Sequence, residues 1–112
     1  MVKVRPVFKF WLETNEGYAF GEGPFEILSK VKELGTLSGA AKALNMSYRQ
    51  AWGMVRKTEE KVGESLMKTH RGGVSGGGSA ELTEAGLALL GRYSRVKEAL
   101  AEFSNRVVAE YF

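Results

Sequence analysis

Cysteine and aspartate are both missing from this 112-residue sequence, and histidine occurs once, as His70. Without cysteine there is neither a disulfide framework nor a thiolate metal site. Without aspartate, acid–base chemistry falls to the thirteen glutamates, which sit in patterns that solvated helix faces and caps already explain. His70 stands beside Arg71 with no acidic ligand near it in sequence, which gives little support to a metal centre or a Ser-His-Asp arrangement. No catalytic residue, metal ligand or cofactor is therefore expected, and His70 reads as a surface residue near phosphates. No apolar run approaches bilayer-spanning length, and the amino terminus lacks a signal-peptide pattern. The expectation is a cytoplasmic protein with no membrane partner. The length suits one domain, whose small core would gain from a partner subunit.

Charge is present but unevenly placed. Between Lys42 and Arg71 stand seven basic residues, Lys42, Arg49, Arg56, Lys57, Lys61, Lys68 and Arg71, against Glu59, Glu60 and Glu64, leaving +4. The whole chain carries only +3, so the remainder is close to neutral. A localised excess of this sign neutralises phosphates and gives salt-dependent affinity for nucleic acid.

The same segment has a specific order. Ser38 is placed to cap a short helix in which Ala40, Ala41 and Ala43 let another helix approach, and Asn45 suits a left-handed ending. Ser47, with Gln50 three residues on, makes a capping box that opens a second helix. Two caps nine residues apart predict a helix-turn-helix. The second helix is expected from Tyr48 to Val62, stopped by Gly63, with Ala51, Met54, Val55, Thr58 and Val62 as its buried stripe. Its other face carries Tyr48, Arg49, Trp52 and Arg56. Arg49 lies in the first turn, the part of a recognition helix that meets base edges. Trp52 has two readings, one facing DNA and one packed against the wing or the first strand.

After that helix comes a strand over 65–71 and a return over 80–82, joined by a run with five glycines in eight residues, Gly73 and Gly76 among them. This predicts a hairpin wing with a flexible tip able to lie close to a phosphate backbone. A nucleotide-phosphate loop is excluded, because no Gly-Lys-Ser/Thr ends the run and no helix follows it directly.

At the amino end, Val2, Val4, Phe8, Phe10 and Leu12 alternate with Lys3, Arg5, Lys9, Trp11 and Glu13, which predicts a strand that turns at Asn15-Glu16-Gly17 and pairs back. Pro6 marks an edge or a bulge. Gly23-Pro24 opens a helix with proline at its first position and a stripe of Phe25, Leu28, Val31 and Leu34, ended by Gly35. At the carboxyl end Thr83 caps one long helix. Gly86, Leu89, Tyr93, Val96, Leu100, Phe103 and Val107 recur along it at steps of three and four, a heptad-like seam. At about 1.5 Å per residue that helix is roughly 40 Å long. Its far half either folds back on the amino-terminal strand or, the favoured reading, pairs with a second subunit. The predicted dimer interface is Trp11, Leu89, Tyr93, Val96, Leu100, Phe103 and Val107.

The strings Gly35-Thr36-Leu37-Ser38-Gly39-Ala40-Ala41 and Met46-Ser47-Tyr48-Arg49-Gln50-Ala51-Trp52 closely resemble the amino-terminal domain of ModE-type molybdate-responsive transcription regulators. The glycine runs followed by Leu82-Thr83-Glu84-Ala85-Gly86 do so too, and the skeleton is more distantly similar to the LysR-type helix-turn-helix. The resemblance covers nearly the whole chain. It implies a homodimer, with contacts through the first strand, first helix and last helix. It also implies DNA-facing positions at Ser47, Tyr48, Arg49, Gln50, Trp52 and Arg56, with the wing from Lys68 to Ser79 on the backbone or minor groove. Many relatives carry a lysine between the glycine runs, where this sequence has Val74 and Ser75. Full-length relatives bind molybdate in carboxy-terminal domains. These residues end at Phe112 with no oxyanion site visible, so molybdate or tungstate sensing is not assigned and the small-molecule effector is unknown.

The expected fold class is mainly α with small β elements (α+β). It is a winged helix-turn-helix in one domain, 1–112, comprising a hairpin over 1–20, a helix over 24–34, the helix-turn-helix over 38–62, the wing over 65–82 and a long dimerisation helix over 83–110. The expected function is a sequence-specific, homodimeric transcriptional regulator of double-stranded DNA. Its expected contacts are Lys42, Ser47, Tyr48, Arg49, Gln50, Trp52, Arg56, Lys57, Lys68, Arg71, Gly73 and Gly76. The alternatives are an architectural DNA-binding protein of low sequence preference and a protein-interaction module using Tyr48 and Trp52.

Overall fold

The structure, a computed structural model, describes residues 2–71 and 78–112. The elements are β1 (Leu12–Thr14), β2 (Gly17–Phe20), α1 (Glu22–Leu34), α2 (Leu37–Ala43), α3 (Tyr48–Val62), β3 (Met67–His70), β4 (Ser79–Leu82) and α4 (Glu84–Tyr111). β1 pairs with β2 and β3 with β4, both antiparallel, in two separate ribbons. The fold is the winged helix-turn-helix of the α+β class: α2 and α3 form the helix-turn-helix, β3 and β4 the wing. The tip positions Gly73 and Gly76 lie outside the described residues.

Local chemistry sets the helix ends. Gly35 and Gly63 take left-handed backbones, φ 75° and 76°, and each N–H closes on the carbonyl four residues back. Asn45 is left-handed at φ 56°, which makes the tight turn between α2 and α3. Ser47 Oγ accepts from Gln50 N at 3.0 Å. α2 is capped differently from the prediction: Thr36 Oγ1 accepts from Gly39 N at 2.9 Å, so the helix starts before Ser38. The preceding Gly35 delivers the chain to Thr36 in extended geometry, which leaves Ser38 exposed inside the first turn.

The core lies where α1, α2 and α3 meet the wing and the first half of α4. Ile27, Leu28 and Val31 of α1 pack with Leu37, Ala40 and Ala41 of α2, Ala51 and Val55 of α3, Leu66, and Tyr93 of α4. Each large apolar side chain removed from water there contributes about 1.5–3 kcal/mol. The small Ala40 and Ala41 are fully covered, as their size allows. α1 departs from the expected stripe at both ends. It begins at Glu22, so Pro24 sits buried inside the first turn, and Ile27 takes the core position in place of Leu34, which stays exposed.

The wing is clamped to the helices by backbone bonds. Ala80 N donates to Gly35 O at 2.8 Å, and Thr83 N to Leu66 O at 3.0 Å. Thr83 Oγ1 donates to Ser65 O at 2.7 Å and accepts from Gly86 N at 3.1 Å, so one hydroxyl joins the wing to α4. Gly86 passes so close to Leu66 that a Cβ would run into the Leu66 carbonyl oxygen. Its place in the seam therefore reflects internal packing.

Two further expectations change. The amino-terminal strand is shorter than predicted. Its ladder holds only Leu12, Glu13 and Thr14, with a register shift after Leu12, because β2 offers just four residues. Residues 2–11 carry no regular structure, and Phe8 and Phe10 lean on α4, at 6.1 Å from Phe103 and 4.5 Å from Tyr93. Tyr93 itself is 1% exposed and cannot form part of a surface contact. Its ring is stacked on Phe10, set against Phe25 at 4.6 Å and met edge-on by Phe20 at 5.3 Å. The seam of α4 thus splits. Gly86, Leu89, Leu90 and Tyr93 serve the chain's own core, and only Val96, Leu100, Phe103 and Val107 remain on the far half.

Candidate nucleic-acid interface

The first turn of α3 projects Tyr48, Arg49 and Gln50 into solvent. Ser47 spends its acceptor on the cap and keeps its hydroxyl hydrogen. Among the described residues the Gln50 side chain returns no bond to the cap, so its amide is available to a ligand. Tyr48 and Trp52, one turn apart, lie parallel within 6° at a centroid distance of 6.5 Å. The Arg56 guanidinium sits over Trp52 at 5.6 Å. Tyr48, Trp52 and Arg56 therefore form a column along α3, with Arg49 and Gly53 beside it. Trp52 is half-buried against the core on one side and stacks within the exposed column on the other.

Two recesses flank this column. Lys42, Ser47, Tyr48 and Gln50 line a shallow depression with Ser38 and Asn45. On the other side a cleft of about 600 Å³ opens between the start of α2, Tyr48 and the wing residues Thr69, His70, Arg71 and Ser79. The structure thus brings five predicted positions, Lys42, Ser47, Tyr48, Gln50 and Arg71, to these two recesses, and Arg49 is exposed next to Tyr48 in sequence. Lys57 is exposed and borders a third recess with Tyr18, Met54 and Lys61. Lys68 stands on β3 opposite Glu81.

Negative charge is partly withdrawn from this surface. Glu59 Oε2 accepts from Leu66 N at 2.8 Å, so it caps the wing's approach and does not face solvent with the arginines. His70 is exposed, as a surface residue should be. Its Nε2 lies 3.2 Å from Glu81 Oε1 across the ribbon, an acidic partner eleven residues away that only the strand pairing brings near. Ser38 is not among the predicted contacts, yet it lines both recesses. For Ser38 the missed signal is Gly35-Thr36, which identifies Thr36 as the cap and frees the serine.

The geometry is that of a helix-turn-helix with an open recognition-type helix, a basic flank and a two-stranded wing. The family described as bacterial regulatory helix-turn-helix proteins of the lysR type matches residues 24–87. The chain belongs to this family. Its curated relatives include the molybdenum-pterin-binding protein MopA of Rhodobacter capsulatus, 32% identical over 82 residues, covering 73% of this chain and 31% of that protein. The molybdenum transport protein ModE of Azotobacter vinelandii is 27% identical over 111 residues, covering 96% of this chain and 41% of that one. The chain therefore spans less than half the length of these relatives. Among solved structures, the CbnR DNA-binding domain in complex with DNA superposes with a TM-score of 0.61 at 26% identity, covering 81% of this chain and 99% of that one. ArgP from Mycobacterium tuberculosis gives a TM-score of 0.53 at 25% identity, covering 80% of this chain and 30% of that one. This lysR-type chain is accordingly a helix-turn-helix DNA-binding domain of the kind found in transcription regulators, with ModE-like sequence.

Proposed function

We propose that this lysR-type domain is a sequence-specific regulator that binds double-stranded DNA as a homodimer. The observation that carries the reading is the exposed start of α3, where the Arg49 and Gln50 side chains stand in solvent beside the Tyr48–Trp52–Arg56 column. A first turn so equipped suits the major groove, with Arg49 bidentate to a guanine and Gln50 able to read an adenine. Lys42, Arg56, Lys57, Lys68 and Arg71 would then meet phosphates, which position the helix without reading sequence. The CbnR domain, a structural neighbour, was solved on DNA, which supports the same partner for this chain.

Support for the dimer comes from α4. Val96 and Phe103 are 39% and 46% exposed on the half that extends past the core, and Trp11 is 50% exposed near the other end of the same chain. A two-fold pair would present two α3 helices to successive major grooves.

The test is selection of preferred duplexes from a random pool, followed by affinity measurement at two salt concentrations. A palindromic motif bound about a thousandfold or more above random DNA is the expected result. Salt-sensitive binding with no motif would replace this reading with an architectural one, and absence of binding at low salt would favour a protein-interaction module.

A further inference from the structure

Five glycines lie inside the described helices, and three of them have an internal reason. Gly23 and Gly39 face the Met54 and Thr36 side chains, and Gly86 faces the Leu66 backbone, within 3 Å of where a Cβ would sit. Gly53 and Gly91 have open space there. Neither has a positive φ. Glycine in a helix interior is less stable than alanine, so at both positions the chain carries a cost that its own packing does not require.

Gly53 stands out by its placement. The buried residues of α3 are Ala51, Val55 and Thr58. At about 100° per residue, Gly53 lies within about 15° of the line opposite their mean direction. It is thus the crest of the exposed face, with Arg49 one turn before it and Arg56 one turn after. Glu60, which follows on nearly the same line, is about 10 Å further along the axis. The arginines and the absent side chain occupy the first nine residues of α3, and the carboxylate marks where that surface ends.

We propose that Gly53 is the point where α3 comes closest to the base edges of the major groove. The missing Cβ lets the backbone approach while Arg49 and Arg56 reach past it on either side. Glycine serves this purpose wherever a backbone must lie against a ligand. The inference rests on the DNA-binding reading above and deepens it by naming a position that shapes the fit without donating a hydrogen bond. Non-specific binding, which is mainly electrostatic and held at the phosphates, does not need that approach.

The experiment is Gly53→Ala in the full chain, followed by thermal melting and by titration of the selected duplex and a random duplex of equal length. Alanine has room in the free protein, so the melting temperature should rise by a few degrees. Affinity for the selected duplex should fall about tenfold while affinity for the random duplex changes by less than about twofold. Gly53→Leu, a good helix former that is larger, should deepen the loss on the selected duplex and remain folded. Undiminished binding of the selected duplex by Gly53→Ala would overturn the proposal while leaving the DNA reading intact. Failure of the wild-type chain to bind any duplex would overturn both. Equal losses on the two duplexes would also overturn it, since they would indicate a general disturbance of the charged surface.

Discussion

The Tyr93 hydroxyl of α4 donates to Glu22 Oε2 in the first turn of α1 at 2.9 Å. Lys97 Nζ reaches the other oxygen, Oε1, at 2.7 Å and lies over the Phe25 ring at 5.1 Å. One carboxylate thus fixes the middle of the long helix against the start of the first. The hydrogen bond from Lys97 holds the Glu22 carboxyl below its usual range; partial burial opposes this, and the Tyr93 hydroxyl adds to it. Burial, and then the negative Glu22 acceptor, push the Tyr93 phenol well above its ordinary value.

The signs give a pH prediction. Because the Glu22 value is depressed on folding, its contribution is in force above about 4.5 and is lost as pH falls through the folded value. Because the Tyr93 value is raised, its contribution is complete below about 10 and is lost as pH rises beyond that. Glu22→Gln should therefore melt below wild type at neutral pH, with the gap closing in acid. The Lys97 and Glu22 side chains are about half exposed, so the neutral-pH loss should be only about 0.5–1 kcal/mol. Tyr93→Phe should remove the alkaline decline. Thermal melts across the pH range check both; a gap that persists unchanged in acid would refute the Glu22 assignment.

Gly86→Ala should be far more damaging than its size suggests. The atom that a Cβ would meet is the Leu66 carbonyl oxygen, which is held in place by the Thr83 N–H. Relief requires the start of α4 to lift from the wing. The expected cost is about 1–3 kcal/mol, read as a lower urea midpoint with an unchanged slope. A midpoint equal to wild type would mean that this approach is looser than the structure has it.

Much of this fold is legible in the sequence because its punctuation is local. Gly35, Asn45, Ser47 and Gly63 each act on backbone within four residues, and α3 starts and stops where they direct. What eluded the sequence is set by packing at long separation. Tyr93 fits a heptad seam as well as any of its neighbours. Only the arrival of Phe10, Phe20 and Phe25 around its ring moves it into the core. The 2–11 segment alternates like a strand, yet among the described residues no partner strand extends along it. At the site, Arg49 and Trp52 were visible from helical spacing. The His70–Glu81 pair and the cleft beside Tyr48 depend on the β3–β4 register and were not.

Arg49 and Lys57 should behave differently on DNA. Arg49→Ala should cost about 1–3 kcal/mol on the selected duplex and relax preference at one position in each half-site. Lys57→Ala should weaken selected and random duplexes alike and reduce the salt slope by about one. Lys57 borders the recess with Tyr18 and Lys61, so an unchanged slope would place the phosphate path away from that flank. An Arg49→Ala protein with full affinity and full preference would show that α3 does not read the bases.

The dimer is tested at Val96. Among the far-half seam positions Val96 and Phe103 are the more exposed, but Phe103 also packs near Phe8, so its loss would disturb the chain itself. Val96→Glu leaves the core untouched and places a charge where a second α4 is proposed to lie. Burying that charge without a partner is strongly unfavourable. Sedimentation at micromolar concentration should therefore give the monomer mass for the variant and the dimer mass for wild type, with melting of the free domain little changed. On a duplex with two half-sites the variant should bind at least about tenfold more weakly, because the second half-site no longer gains from the high effective concentration that linkage provides. On a duplex with one half-site the two proteins should bind alike. A Val96→Glu protein that still sediments as a dimer would locate the subunit contact elsewhere, with the exposed Trp11 and Tyr18 pair of the amino-terminal ribbon as the next surface to alter.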